Sequence, residues 1–201
     1  MKSLKNNESY DYRSSHTALS KPDDYDSQFW IPGTTNHLFW EIECMVISDV
    51  IKKIIPPPKR ALDFACGTGR VLSLLEKHVS ETTGIDVSWP MLAAAKKRCC
   101  RSRLVKGDLT KNSSIIEEKY DLVTAFRFFL NAQTELRESA LKVIHKKMTS
   151  GGHLIVNFHL NPQSITGFYL RFRFWLNGST RTMMSVNESK DLLWNCGFNP
   201  L

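Results

Sequence analysis

The 201-residue chain predicts an α/β domain, with a doubly wound, mostly parallel sheet and helices on both faces. Three observations predict this. Short apolar-rich runs at 60–64, 82–87 and 120–126 read as strands buried on both sides. Longer stretches between and after them repeat apolar residues every three or four positions, as amphipathic helices do. The stretch Ala61-Leu62-Asp63-Phe64-Ala65-Cys66-Gly67-Thr68-Gly69-Arg70 then sets the repeating unit of such a fold in one place: a strand, a tight glycine turn and the start of a helix.

Residues 1–24 are polar and rich in Ser, Asn, Asp and Lys, and are expected to form a flexible arm ahead of one domain at 25–201. Tyr25, Phe29 and Trp30 bring bulky aromatics before a Pro32-Gly33 turn. Leu38, Ile42, Met45, Val46 and Val50 recur at helical spacing, Thr35 or Asn36 can cap the start, and Pro56-Pro57-Pro58 ends the pattern, giving a helix over 36–55. The first strand is 60–64, followed by a helix over 70–78 with Val71, Leu74 and Leu75 inward. The second strand, 82–87, leads to Ser88 as a helix cap with Pro90 in the first turn, and Leu92, Ala95 and Cys99 form that helix's inner face. Strands at 103–106 and 120–126 follow. A helix over 134–148 places Leu136, Ala140, Val143, Ile144 and Met148 inward, and Ser150-Gly151-Gly152 turns the chain into a fifth strand at 153–160. Beyond Gly167 the period changes. Phe168, Leu170, Phe172, Phe174 and Leu176 alternate with Tyr169, Arg171, Arg173 and Trp175, Asn177-Gly178 is a type I′ turn signal, and 179–186 supplies a returning strand. A helix over 187–196 stops at Gly197.

Composition narrows the function classes. Hydrophobic residues make up 42% and charged residues 23%, the proportions of an ordinary globular domain. No run approaches the roughly 18 apolar residues of a membrane span, and no apolar leader core opens the chain, so a cytoplasmic protein is expected. Cys44, Cys66, Cys99, Cys100 and Cys196 form no C-x-x-C pair and no metal-ligand spacing, so reduced thiols and no metal are expected. The net charge of +7 is spread over clusters such as Lys96-Lys97-Arg98 and Lys142, Lys146 and Lys147. These read as solvated helix faces rather than a nucleic-acid footprint, with attraction to an anionic substrate or membrane surface the alternative.

The glycine turn points to a nucleotide-like ligand at the carboxyl end of the first strand. A dinucleotide turn requires G-x-G-x-x-G, and that frame fails: from Gly67 the third glycine falls on Leu72, and from Ala65 on Arg70. Instead Asp63 stands four residues before Gly67. This arrangement resembles motif I of the small-molecule type of class I S-adenosylmethionine (AdoMet) dependent methyltransferases, with Ala65 where that family most often has its first glycine. Three further features resemble the family in order. Asp86 closes the second strand 17 residues after Gly69, Gly107-Asp108-Leu109 follows the third, and Tyr120-Asp121-Leu122-Val123 opens the fourth. The helix, Gly-Gly and strand succession around Gly151 and Gly152 is also typical of it.

The resemblance implies a Rossmann-like fold and AdoMet as cofactor. Asp63, Ala65, Cys66, Gly67 and Gly69 would surround its methionine end, with Phe126 nearby. Asp86 and Val87 would meet the ribose, and Met91, Asp108 and Leu109 the adenine. Strand ends form the mouth of such a site, so Arg127 and Asn131 are the polar candidates for the acceptor. Arg127 can fork onto a carboxylate or phosphate, and a structural ion pair is its other reading. His159, near the end of the fifth strand, is the candidate general base. Residues 25–58 resemble a lid over the cofactor, with packing onto the core as the alternative. Family domains end in an antiparallel strand pair after a G-F dipeptide, whereas three residues follow Phe198 here. The expectation is that this pair is truncated, that the fifth strand is a sheet edge covered by the hairpin or by a second copy in a homodimer, and that 161–186 is a substrate-side insert or hairpin. The activity implied is methyl transfer to an O or N of a small or amphiphilic acceptor, sugar- or lipid-linked. The alternatives are an inactive AdoMet-binding module, an RNA methyltransferase, for which no appended module is present, and an NAD-dependent oxidoreductase, disfavoured by the glycine frame.

Overall fold

A computed structural model describes residues 29–129, 132–158, 161–176 and 183–201. Its sheet has five strands in the order β3-β2-β1-β4-β5, all neighbouring pairs parallel: β1 (Arg60–Phe64), β2 (Glu81–Asp86), β3 (Arg103–Lys106), β4 (Tyr120–Ala125) and β5 (Met148–Val156). Six helices accompany it among the described residues: α1 (Thr35–Lys53), α2 (Arg70–Leu75), α3 (Trp89–Arg98), α4 (Thr134–Lys147), α5 (Ile165–Leu176) and α6 (Val186–Asn195). The strand order reverses beside β1, so the crevice of a doubly wound sheet opens beyond the carboxyl ends of β1 and β4.

Side-chain alternation explains the two layers. Ala61 of β1 and Leu122 of β4 face one side, where Trp40, Ile47 and Ile51 of α1 meet Val71, Leu74 and Leu75 of α2. Leu62, Phe64 and Val123 face the other, against Leu141 and Ile144 of α4 and the T-shaped stack of Phe64, Phe128 and Phe129. One Asp121 carboxylate oxygen accepts from the Lys59 and Arg60 amides at 3.0 Å each, fixing the start of β1 against β4. Leu72, Leu92 and Cys99 close the corner where α2 meets α3.

The elements up to residue 147 follow the sequence reading within a few residues, with three corrections in the chain as a whole. First, the stripe of Leu38, Ile42, Met45, Val46 and Val50 does not face the core: these side chains are exposed, and α1 buries Trp40, Ile47 and Ile51 instead. The helix is apolar on two faces, so spacing alone could not choose between them. Its cap is Thr34, which accepts from the His37 amide, rather than Thr35 or Asn36. Second, β5 starts at Met148, before the Gly-Gly pair. Residues 149–152 loop out between the Tyr120–Met148 and Leu122–His153 pairs, with Gly151 at φ +76°, and pairing resumes through Val156. Third, the hairpin predicted from Phe168 to Val186 is not formed at its first arm, because residues 165–176 are helix α5. The local capping chemistry explains the difference. Ser164 Oγ accepts from the Gly167 amide at 2.9 Å, Ser164 C=O accepts from the Phe168 amide at 2.8 Å, and Asn161 Oδ1 accepts from the Gln163 amide. Gly167 is required there, since a Cβ would fall 1.9 Å from the Asn161 carbonyl oxygen. The Asn177-Gly178 turn lies outside the described residues.

Among the described residues β5 pairs only with β4, so it is a sheet edge, as expected. All five cysteines are free thiols. No described helix is long and apolar enough to cross a membrane, and no cluster of metal-ligating side chains occurs among the described residues.

Candidate functional site

Asp63, Ala65, Cys66, Gly67, Thr68, Arg70, Val71, Phe126 and Arg127 line one small hollow of about 50 Å³ at the carboxyl ends of β1 and β4. The chain must reverse direction sharply there, and it does so through three left-handed residues, Ala65 (φ +56°), Gly67 (φ +53°) and Gly69 (φ +78°). A left-handed alanine costs about 1–2 kcal/mol, which explains why glycine is the easier residue at position 65. The two glycines serve different ends. Nothing lies within 4 Å of a Cβ built on Gly67, which leaves that backbone open to a ligand. A Cβ on Gly69 would meet Cys99 Sγ at 2.8 Å and Ala95 Cβ at 3.0 Å, so Gly69 lets α3 pack against the turn.

The acids of β1 and β2 meet at this turn. Asp86 accepts from the Gly67 amide through Oδ2 and from the Ser88 amide through Oδ1, each at 2.8 Å. It thereby ties the glycine loop to the tip of β2. Asp63 is fully buried and accepts from the Thr124 hydroxyl at 2.7 Å. Burial pushes its pKa up to about 7; the Thr124 hydrogen bond opposes this, and the nearby Asp86 charge adds to it. The carboxyl of Asp63 is therefore poised to ionise near neutral pH when a cation arrives. Asp108 Oδ1 accepts from the amide and hydroxyl of Thr110, which shapes the turn after β3, and the Gly107 amide bonds to the Asp86 carbonyl. Leu109 is buried and Val87 and Met91 are half-buried. These three and Asp108 lie outside the lining of the small hollow. Burial raises the Cys66 thiol well above its ordinary range and the Cys99 thiol to about 12, so both remain protonated packing groups.

Phe29 of the N-terminal segment packs against two arginines that line the hollow. Phe29 is 2% exposed, and the Arg70 and Arg127 guanidiniums lie 3.8 and 4.5 Å from its ring centroid. Arg98 sits 5.1 Å from the Trp30 ring and donates to the Thr68 carbonyl at 2.6 Å. Arg127 itself adopts a left-handed backbone (φ +62°), and its amide donates to Asn157 Oδ1 at 2.8 Å. Its guanidinium pairs with Glu43 of α1 at 3.3 Å, and Asn157 Nδ2 donates to the same carboxylate at 3.2 Å. Strain of this kind collects at functional sites. Tyr25, Asn131 and His159 lie outside the described residues.

The structure therefore gathers Asp63, Ala65, Cys66, Gly67, Phe126 and Arg127 around one hollow and joins Asp86 to it by a hydrogen bond. The sequence reading missed Thr68, Arg70, Glu43, Thr124 and Asn157. Arg70 was visible as the residue closing the glycine stretch. Glu43 and Asn157 carry no motif, and only the fold brings them together.

Comparison with known proteins bears on this geometry. The family described as "Methyltransferase domain" matches residues 61–152, which hold β1 to β4 and the glycine turn. A demethylmenaquinone methyltransferase of Thermotoga maritima is 33% identical over 125 residues, 57% of this chain and 52% of that protein. A dTDP-3-amino-3,4,6-trideoxy-alpha-D-glucopyranose N,N-dimethyltransferase of Streptomyces venezuelae is 36% identical over 67 residues, 33% of this chain and 28% of that one. The chain thus spans about half or less of the length of these curated relatives. The solved magnesium protoporphyrin IX methyltransferase of Synechocystis PCC 6803, with bound SAH, superposes with a TM-score of 0.70 over 93% of this chain and 87% of that chain, at 16% identity, a likeness of fold. With the sheet order, the glycine turn and the acid-bearing strand ends in place, residues 61–152 are similar in sequence and fold to methyltransferase domains.

Proposed function

We propose that this protein binds AdoMet at the glycine turn and moves its methyl group to an O or N of a small or amphiphilic acceptor. The observation that carries the reading is the joining of Asp63, the open backbone of Gly67 and the Asp86 carboxylate at one turn. These groups fit the cofactor's chemistry. An acid poised to ionise suits an α-ammonium, an exposed glycine backbone permits close approach, and a carboxylate at the tip of β2 suits a ribose diol. AdoMet supplies an activated methyl on a sulfonium, so the protein's main work is alignment of donor and acceptor. In this reading Ala65, Cys66 and Phe126 surround the methionine end. Val87, Met91, Asp108 and Leu109 hold the adenosine. Arg127 meets the acceptor, and His159 takes the proton of an alcohol.

Phe29 and its two guanidinium neighbours act as a lid. Ligand pockets run to roughly 300–1,000 Å³, well above the present hollow of about 50 Å³. The lid must lift for the cofactor to enter. The relatives' names favour a small molecule as acceptor: one is a methyltransferase for a demethylmenaquinone and one for an amino sugar nucleotide. Calorimetric titration with AdoMet, S-adenosylhomocysteine and NAD tests the cofactor. Saturable binding of the first two, with none for NAD, is the expected result. Methyl transfer from labelled AdoMet to a panel of quinols, amino sugars and bulk RNA tests the acceptor. Transfer to RNA alone, or binding with no transfer to any class, would overturn it.

A further inference from the structure

Asp63 shares the small hollow with a cation. Arg70 opens α2, lines the hollow beside Gly67 and Thr68, and is 6% exposed. Aromatic faces hold its guanidinium, which lies 3.8 Å from the Phe29 ring centroid and 4.9 Å from that of Trp40. A cation in the first turn of a helix runs against the backbone dipole, so this position gives α2 no support of its own. Asp63 and Arg70 are also within electrostatic reach of each other. Burial dominates the raised pKa of Asp63, and the Arg70 charge acts in the opposite sense. The other guanidinium of the lining, that of Arg127, is paired with Glu43 at 3.3 Å.

An α-amino acid carries its ammonium and its carboxylate on the same carbon, so a site for one needs an acid and a cation close together. In the reading above, the methionine end of AdoMet lies at this turn with its ammonium toward Asp63, and its carboxylate has no assigned partner. We propose that Arg70 takes that carboxylate, so that Asp63 and Arg70 together recognise the amino-acid end of the cofactor. The assignment rests on AdoMet binding at the glycine turn. Arginine suits the task, because a planar guanidinium can stack on a ring and also donate paired N–H groups to a carboxylate. Phe29 and Trp40 hold the group before any ligand arrives, which lowers the cost of ordering it on binding. Recognition of the amino-acid end is thereby separate from that of the adenosine, which falls to the tips of β2 and β3.

Calorimetric titration of the full chain with AdoMet, S-adenosylhomocysteine and decarboxylated AdoMet decides it. The last keeps the sulfonium and the ammonium and lacks only the carboxylate. Wild type is expected to bind it at least about tenfold more weakly than AdoMet. Arg70→Gln is expected to lose about tenfold or more in affinity for AdoMet and S-adenosylhomocysteine, and less than about twofold for the decarboxylated compound. Arg70→Lys keeps the charge without the fork and should recover part of the loss. Circular dichroism melts show which variants fold, and the wild-type comparison of the two sulfonium ligands stands without any variant. A folded Arg70→Gln that loses equally for both, or a wild type that binds both equally, would overturn the assignment and leave AdoMet binding at the turn intact. No binding of AdoMet or S-adenosylhomocysteine by wild type would overturn both.

Discussion

The two ends of this domain bury their residues differently. The strands β1, β2 and β4 are nearly continuous in burial: Ala61, Leu62, Leu122, Val123 and Ala125 are each 0% exposed, and even the polar groups at the strand tips, Asp63 and Asp86, are held by hydrogen bonds. From β5 onward the elements turn outward. β5 is half-buried and, among the described residues, has one unpaired edge, and α5 and α6 carry exposed Phe168, Tyr169, Val186 and Trp194. The first region holds a tightly packed turn, whereas the second offers surface. In the proposed reading the rigid half would hold the cofactor, and acceptor choice would fall to the half with slack in its packing.

The sharpest way to break that contrast is to substitute the two glycines of the turn. Gly69→Ala places a Cβ against Cys99 and Ala95 at a left-handed φ, and a loss of about 2–4 kcal/mol is expected from strain and overpacking together. Gly67→Ala meets open space, so its stability loss should stay near the left-handed cost of about 1 kcal/mol, while AdoMet affinity falls about tenfold or more. Urea melts and calorimetric titrations of both variants separate the roles. Equal stability losses would show that the two positions do the same job.

Asp63 gives the next effect, and its sign follows from its raised pKa of about 7. A carboxyl whose pKa is higher folded than unfolded stabilises the fold while protonated, and that contribution fades as pH rises through the folded value. The free protein should therefore lose stability from about pH 4 to about pH 7, between the unfolded and folded values, and Asp63→Asn should flatten that slope. Cofactor binding runs the other way, since an ammonium favours the ionised acid. AdoMet affinity should rise over the same range by about tenfold, with proton release detected by titration in two buffers of different ionisation enthalpy, and the Asn variant should show neither. The Glu43–Arg127 pair ranks third. Glu43→Gln weakens one tie of the Phe29 lid, with a stability loss of about 1 kcal/mol and faster cofactor association. Stopped-flow fluorescence from Trp30 and Trp40, whose rings lie 6.3 Å apart near the lid, reads that rate.

The same contrast explains what the amino-acid order revealed. β1 matches its predicted bounds because a buried parallel strand is an apolar run with no competing period, and the glycine turn was legible since backbone geometry there permits few residues. The regions that misled were those with apolar residues on more than one face. In α1 the exposed stripe was more regular than the buried one, and Trp40, Ile47 and Ile51 were hidden in it. In 168–176 the residues are so uniformly bulky that a period of two fitted, while the capping signal at Asn161 and Ser164 decided for helix. Glu43, Thr124 and Asn157 had no local signal, because their partners stand 84, 61 and 30 positions away.

The smallest effect is the most discriminating for the outward half. If α5 is surface, Phe168→Ser changes a side chain that is 73% exposed, and unfolding free energy should move by no more than about 0.5 kcal/mol. Phe29→Ala, by contrast, removes a ring that is 2% exposed between two guanidiniums and should cost about 3 kcal/mol or more. Both are single aromatic truncations, so the difference between them measures location rather than residue type. A loss at Phe168 approaching that at Phe29 would mean that α5 is packed against the body of the protein. The division between a rigid half and an open half would then have to be redrawn at α6.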